Sequence, residues 1–549
     1  MRVAIAQVNP TVGDLAGNRR LAEDAVAKAR AAGAEMVLLP EMVLTGYPPM
    51  DLLERDGFVR DQMRELDALA PVSRDLPVVL GAVLPAEGPG PQHLANAAVL
   101  LRDGERVAVR AKTLLPTYDV FDERRYFVPA ERREPVVLGA GSPVLGLTVC
   151  EDAWSGELPY HLDPTAELAG LGATLVLNCS ASPWRVDKPA FRRKLVSELA
   201  ARCGVPIVFA NQVGGNDELV FDGASFAVDA RGRVIASLPL FEPALEVVDL
   251  EGAPSQELVE ICDPEPVAQL ESGLVLGVRD YFRKQDLPPG AVVGLSGGID
   301  SAVTAHLAAE ALGPDRVLGV AMPGPFSSEH SLEDALALGR NLGIETRTVD
   351  IDPIYEAYLG AFRTLFGERD DYGVTQQNVQ SRVRGAILMA ISNAEGRLVL
   401  ATGNKSELSV GYCTLYGDTV GGLAVLGDVY KREVYALARH ANRGGERIPE
   451  GTITKPPSAE LAPGQLDSDD LPPYDVLDAV LQQAIEGGRG AASIEPPPGV
   501  SAEAARAIVR RLDRNEYKRR QSPLVLRVSP KAFGSGRRLP IVHRYHEAE

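Results

Sequence analysis

At 549 residues the chain exceeds what one hydrophobic core organises, so two or more domains are expected. A hydrophobic fraction of 45% and a charged fraction of 24% are those of a globular protein. The 75 acidic against 56 basic residues leave a formal charge of −19, which argues against nucleic acid or an anionic membrane surface as the main partner. A phosphorylated substrate needs only local positive charge and stays admissible. No run approaches the roughly 18 apolar residues that span a bilayer, and Val3 to Val8 is too short and wrongly flanked for a signal peptide. Cys150, Cys179, Cys203, Cys262 and Cys413 are odd in number and widely spaced, so neither a disulfide framework nor a zinc CxxC pair is expected. A reducing, cytoplasmic setting follows, and with it room for a free cysteine with a chemical task.

In chain order, strands are expected at 2–8, 36–40, 77–83, 97–101, 106–111, 145–150, 174–178 and 207–211. A helix over 18–32 starts at Asn18 and stops at Gly33. Phe226–Val228 and Val234–Ala236 flank a hairpin signal, Asp229-Ala-Arg-Gly232. Residues 251–266 are rich in Pro, Glu and Asp and read as a surface linker holding Cys262. Beyond it, a helix near 267–285 leads to strands at 291–295, 317–321, 346–351 and 398–401. Helices near 299–312, 329–342, 354–366 and 376–393 alternate with them. That rhythm implies a parallel sheet covered on both faces. The Pro-, Ser- and Asp-rich stretch 449–473 reads as a long mobile loop.

Three reactive residue types stand directly after strands in the first half: Glu41, Lys112 and Cys150. Strand ends hold polar groups on rigid backbone. A cysteine that attacks a carbonyl needs a base and a nearby positive charge, which a glutamate and a lysine supply. On residue type alone, a cysteine packed as a small hydrophobe explains Cys150 as well. The local words go further. Leu39-Pro-Glu41 with Thr45-Gly-Tyr-Pro48, Lys112-Thr-Leu-Leu-Pro116 and Val149-Cys-Glu-Asp152 resemble the nitrilase superfamily across roughly the first 240 residues. The resemblance implies an αββα sandwich in which Cys150 attacks an amide, Glu41 is the general base and Lys112 stabilises the oxyanion. It also implies that Glu123 positions this triad. Pro116-Thr-Tyr118 and Asn178-Cys-Ser-Ala-Ser-Pro183 with Lys188 are similar to the glutaminase domains attached to NAD synthetases. By that likeness Tyr118, Ser182 and Lys188 line a glutamine pocket; otherwise they are surface loop and turn residues.

In the second half, Ser296-Gly-Gly-Ile-Asp-Ser301 follows an apolar strand and opens a helix. A glycine pair lets backbone approach a phosphate, and the helix N-terminus offers free N–H groups. Asp300 is either a hard ligand for Mg2+ or a helix cap. No lysine follows the glycines, so this is not the GxxxxGK[ST] loop. It resembles the pyrophosphate loop of the N-type ATP pyrophosphatases, a doubly wound parallel-sheet fold. Gln377-Asn378-Val-Gln380-Ser-Arg382-Val-Arg384, Ala401-Thr402-Gly-Asn404-Lys405-Ser-Glu407, Gly427-Asp428-Val-Tyr430-Lys431 and Lys455-Pro-Pro-Ser-Ala-Glu-Leu461 are similar to NAD synthetases over nearly all of 267–525. Carried over, Ser296, Gly297, Gly298, Ile299, Asp300, Ser301, Thr402 and Lys405 bind ATP. Asn378, Glu407 and Lys518 contact deamido-NAD, and Asp300 and Glu407 hold Mg2+. Arg382 and Arg384, two apart on a helix, diverge and are left out of the site. Gln377 stands where that family leads one to expect an acidic residue.

These resemblances imply a glutaminase domain over 1–250, a linker over 251–266 and a synthetase domain over 267–549. The expected reaction is glutamine-fed, ATP-dependent amidation of deamido-NAD through an adenylate, in a homo-oligomer of at least two subunits. The alternatives are another ATP-pyrophosphatase amidotransferase of GMP-synthetase type, or a non-catalytic dinucleotide-binding protein.

Overall fold

A computed structural model describes residues 1–87, 92–139, 141–250, 259, 261, 263–287 and 289–545. Most of the expected linker, with Cys262, lies outside the described residues. The chain divides into two compact units, Met1–Pro264 and Glu265–Glu549.

The first unit carries two six-stranded sheets built alike. One has the order β14 (Ala244–Asp249), β1 (Arg2–Gln7), β2 (Met36–Leu38), β3 (Val78–Pro85), β4 (Leu94–Arg102), β5 (Glu105–Ala111). The other runs β13 (Val234–Ser237), β12 (Phe226–Val228), β9 (Ile207–Asn211), β8 (Leu175–Ser180), β7 (Val144–Val149), β6 (Val136–Val137). In each, the central three strands pair in parallel and the flanking ones antiparallel. Val3, Ile5, Met36, Leu38 and Val79 of the first sheet pack against Leu145, Leu147, Val149, Leu177 and Val208 of the second. The first sheet's other face, with Ala4, Ala6, Val37 and Val78, takes Ala22, Val26, Leu66 and Leu69 from helices Leu15–Ala31 and Phe58–Leu69. Val176, Ile207, Phe209 and Phe226 take Val196, Leu199 and Ala200 from helix Lys188–Cys203. The layers are therefore αββα. Burial of both faces is why the central parallel strands read as continuous apolar runs rather than alternating ones, while the edge strands β5 and β14 carry charges.

The first helix begins earlier than Asn18. Asp14 caps it, its side chain accepting the Gly17 N–H at 2.9 Å. Asn18 is buried instead, and its Nδ2 donates to the carbonyls of Thr11 (2.7 Å) and Leu44 (2.9 Å). It thereby anchors the loop that follows Glu41. The short hairpin β10 (Val213–Asn216) and β11 (Leu219–Asp222) and the edge strand β14 escaped the sequence reading.

In the second unit one sheet has the order β17 (Glu345–Thr348), β16 (Val317–Ala321), β15 (Ala291–Leu295), β18 (Leu398–Ala401), β19 (Leu423–Ala424), β20 (Leu524–Val525). Every pairing is parallel. This is a doubly wound sheet whose order reverses between β15 and β18, and ligands bind beyond the strand ends at such a point. The stretch 449–473 is pinned rather than loose. It holds a helical turn, Glu450–Thr454, and is tied by Gln380 Nε2 to the Leu461 carbonyl (2.9 Å) and by Lys455 Nζ to Ser331 Oγ (2.6 Å).

Candidate active sites

Glu41 follows β2 through Leu39 and Pro40. Gly81 lets this turn lie against β3, since a Cβ there would sit 2.4 Å from the Glu41 Cα. Lys112 directly follows β5, and its Nζ lies 2.9 Å from Glu41 Oε1 and 2.7 Å from Glu123 Oε1. All three side chains are buried. Two carboxylates on one ammonium in a dry interior are costly unless other donors reach them. Three do: the Ala181 N–H and Asn96 Nδ2 to Glu41 (2.9 and 2.6 Å), and the Tyr47 hydroxyl to Glu123 (2.9 Å).

Cys150 directly follows β7 and opens a 3-10 turn, Cys150–Ala153, with φ of +41°. A left-handed non-glycine residue is strained, and such strain gathers at functional sites. Asp152 clamps the turn: its Oδ2 accepts the Val149 N–H, and its Oδ1 accepts those of Thr113 and Leu114 just after Lys112. Burial pushes the Cys150 thiol well up and the Glu41 charge adds to this, while Lys112 opposes it. The sulfur therefore rests protonated and needs a base to become a nucleophile. Burial alone would lower Lys112, but Glu123 and Glu41 outweigh it and hold the amine well above its usual value. An amine held charged can stabilise an oxyanion and cannot serve as the base. Burial pushes Glu123 up to about 7 against the pull of Lys112.

Of the residues expected to line a glutamine pocket, Tyr118 and Lys188 lie around the turn that follows Cys150. The Tyr118 and Tyr160 hydroxyls donate to the same Glu151 oxygen at 2.9 and 2.8 Å. Lys188 Nζ lies over the Trp154 ring, 5.3 Å from its centroid, and its charge acts on Glu151. Ser182 is buried next to Ala181, its N–H held by Asn211 Oδ1 at 2.8 Å.

The second unit holds a cavity of about 460 Å³ at the switch point. Ser296, Gly298, Ile299, Asp300 and Ser301 line it, with Thr402 and Glu407 beyond β18, and Asn378, Gln377 and Lys518. The Gly298 N–H donates to Ser296 Oγ (3.1 Å) and Ser301 Oγ donates to the Gly298 carbonyl (2.9 Å). Gly297 shapes this loop without lining the cavity. Its φ is +73°, and a Cβ would lie 2.3 Å from the Ser331 carbonyl oxygen. Asp300 is no cap, because the helix Ile299–Leu312 starts at Gly298 with no side-chain cap bond. Its oxygens instead meet Asn404 Nδ2 (2.8 Å) and Lys431 Nζ (2.5 Å). Lys431 also reaches Glu407 Oε1 at 3.0 Å. Burial and the Asp300 charge push Glu407 up to about 8, against Lys431. Asn378 Oδ1 accepts from Thr414 Oγ1 (2.8 Å), and Lys518 Nζ donates to the carbonyls of Gly411 and Cys413 (2.7 and 2.8 Å).

Lys405 is corrected by this geometry. Its Nζ is fully buried and used by Asp428 (2.9 Å), Glu486 (3.2 Å), Ser529 Oγ (2.7 Å) and the Lys531 carbonyl (3.0 Å), away from the cavity lining. Lys431 takes the place expected for it. Arg384, also set aside, lines the cavity and donates to the Met322 carbonyl at 2.9 Å; burial pushes its guanidinium down to about 10. Arg382 turns outward to the Leu415 carbonyl. Tyr47, Asn96 and Glu151 in the first site, and Lys431, Asn404 and Arg384 in the second, went unassigned from sequence. All but Asn96 lay within quoted motifs whose words gave them no role; Asn96 carried no local signal. Among the described residues no three His, Cys, Asp or Glu side chains are grouped to hold a metal. Asp300 and Glu407, two hard oxygen donors already sharing one cation, fit magnesium completed by phosphate and water oxygens.

Fold and sites together define an amidase-like cysteine unit joined to a nucleotide-binding synthetase unit. Residues 2–256 match the carbon-nitrogen hydrolase family and residues 271–522 the NAD synthase family. The chain is 44% identical to the glutamine-dependent NAD(+) synthetase of Synechocystis sp., with 99% of each covered. It is 41% identical to that of Thermotoga maritima, over 100% of this chain and 99% of the relative. A solved structure of the Acinetobacter baumannii glutamine-dependent NAD+ synthetase, in complex with ADP, superposes with a TM-score of 0.77 at 38% identity, covering 98% of both chains. The chain belongs to the glutamine-dependent NAD(+) synthetases and is an enzyme of NAD synthesis. Neither the GMP-synthetase type nor a non-catalytic role is favoured by these likenesses.

Proposed function

We propose that the chain converts deamido-NAD, ATP and glutamine into NAD, AMP, pyrophosphate and glutamate, with residues 1–250 as glutaminase and 267–549 as synthetase. One observation carries the synthetase half: a single cavity gathers Ser296, Gly298, Asp300 and Ser301 of the glycine loop, Thr402 and Glu407 with Asn378 and Lys518. In the first unit, the Cys150 sulfur attacks the side-chain carbon of glutamine and its proton passes to Glu41. Lys112 faces the charge that develops on the carbonyl oxygen. Ammonia leaves with the proton returned by Glu41, and water, deprotonated by Glu41, hydrolyses the thioester to glutamate. Tyr118, Ser182 and Lys188 hold the substrate.

In the second unit, the nicotinate carboxylate attacks the α-phosphorus of ATP. The loop's N–H and hydroxyl groups with Lys431 receive the pyrophosphate. Ammonia then displaces AMP. Asp300 and Glu407 would hold magnesium, which when bound offsets polyphosphate charge. Product analysis tests this reading: NAD, AMP and glutamate are expected from deamido-NAD, ATP and glutamine, and no GMP from XMP. Formation of ADP, or amidation of XMP, contradicts it.

Among the described residues no helix is long and apolar enough to cross a membrane, and the setting we propose is the cytoplasm. We also propose a homo-oligomer. Helix Asp352–Phe366 buries only Tyr355 and exposes Ile354, Tyr358, Leu365 and Phe366, an apolar face suited to a second copy. Sedimentation as a monomer contradicts that.

A further inference from the structure

The first site sets two glutamates on one lysine, yet the chemistry needs them to differ. One must take the Cys150 proton, and the other must not compete for it. Lys112 barely separates them, since it donates to both at 2.9 and 2.7 Å. The asymmetry lies in Asn96. Its Nδ2 lies 2.6 Å from Glu41 Oε1 and 3.4 Å from Glu123 Oε2. Its backbone carbonyl accepts the Lys112 N–H at 2.7 Å, so one β4 residue sets both the lysine and the glutamate. The side chain is fully buried and its Oδ1 meets no partner. A flipped amide would aim that oxygen at two carboxylates, which fixes the orientation. Glu41 thus collects Lys112, Asn96 and the Ala181 N–H, whereas Glu123 has Lys112 and the Tyr47 hydroxyl at short range.

We propose that Asn96 is the positioning residue that holds Glu41, rather than Glu123, as the carboxylate that receives the Cys150 proton. This rests on the reading of Cys150 as nucleophile and Glu41 as base. Burial, which pushes Glu123 up to about 7, acts in the same direction. The charged and titratable groups facing the pair are Lys112 after β5, Tyr47 from the loop after β2, Cys150 from the turn after β7 and, on Glu41's side, Cys179 of β8. In the acylation step an S–C bond forms and the thiol proton moves to Glu41. The C–N bond then breaks as that proton passes to the departing nitrogen, so Glu41 must start without it.

The test uses the full-length protein with Asn96→Leu, close in shape but lacking the donor, and Asn96→Asp, which replaces the donor by a charge. A donor taken from a carboxylate favours its protonated form by roughly one pH unit. The acidic limb of glutaminase kcat/KM, and of iodoacetamide alkylation at Cys150, should therefore move about one unit upward in Asn96→Leu. That is roughly tenfold less rate one unit below the wild-type midpoint. Asn96→Asp should move it further the same way, and carries the test if circular dichroism shows Asn96→Leu unfolded. Rates lowered equally at every pH, or unchanged rates, overturn the role of Asn96 alone. A wild-type protein that releases no glutamate and is not alkylated at Cys150 overturns the site reading as well.

Discussion

Cys150→Ala should abolish glutamine-driven NAD synthesis and leave synthesis from added ammonium salts at close to the wild-type rate. A thioester needs a sulfur, and the Cys150 sulfur opens the strained turn beside Lys112 and Glu41, whereas Cys179 lies within a strand. Its removal should lower glutamate release by a factor on the order of 10⁴ or more. The synthetase cavity is lined wholly by residues of the second unit, so ammonia supplied from solution can replace the missing source. Steady-state NAD formation with each nitrogen donor checks this. Equal loss with both donors contradicts the separation of tasks.

Lys431→Met should have the opposite signature. Synthesis should fall about 10²- to 10³-fold with glutamine and with ammonium alike, while glutamate release continues. The ammonium of Lys431 lies 2.5 Å from Asp300 and 3.0 Å from Glu407, beside the pyrophosphate loop. Its loss removes a positive charge where polyphosphate charge must be met, and leaves two carboxylates facing each other. Lys431→Arg keeps the charge and should recover part of the rate. Loss of glutaminase activity in either variant would show damage beyond the synthetase unit. Lys405, by contrast, is a structural cation whose replacement should lower stability rather than change the chemistry, because Asp428 would lose its buried partner.

Which of these features could be read from the chain depended on how local they are. Glu41 and Cys150 each stand beyond a strand of continuous apolar residues, Lys112 beyond an alternating one, and the pyrophosphate loop lies between a strand and a helix. Those are neighbours in sequence as well as in space. Asn96 sits in mid-sheet among apolar residues, and nothing beside it signals that its amide reaches Glu41, 55 residues away. The choice between Lys405 and Lys431 was equally closed to sequence. Both are buried lysines near motif residues, and only the fold decides that one meets Asp428 and the other Asp300. Asp14 and Asn18 show the same limit on a smaller scale: either could cap a helix, and the one that can also bridge two loop carbonyls is drawn inward. Strand β14 was missed because Ala244–Asp249 alternates weakly and gains its register only from β1. The cavity's arginine, Arg384, was set aside because two arginines two apart diverge; they do, and one of them points in.

Coupling of glutamine hydrolysis to ATP-driven amidation within one chain fixes the ratio of its products. AMP and glutamate measured together at saturating glutamine, ATP and deamido-NAD test it most directly. Each NAD formed should be accompanied by one AMP and at least one glutamate. AMP formed without NAD, or NAD formed with no matching glutamate in the absence of ammonium, would contradict it.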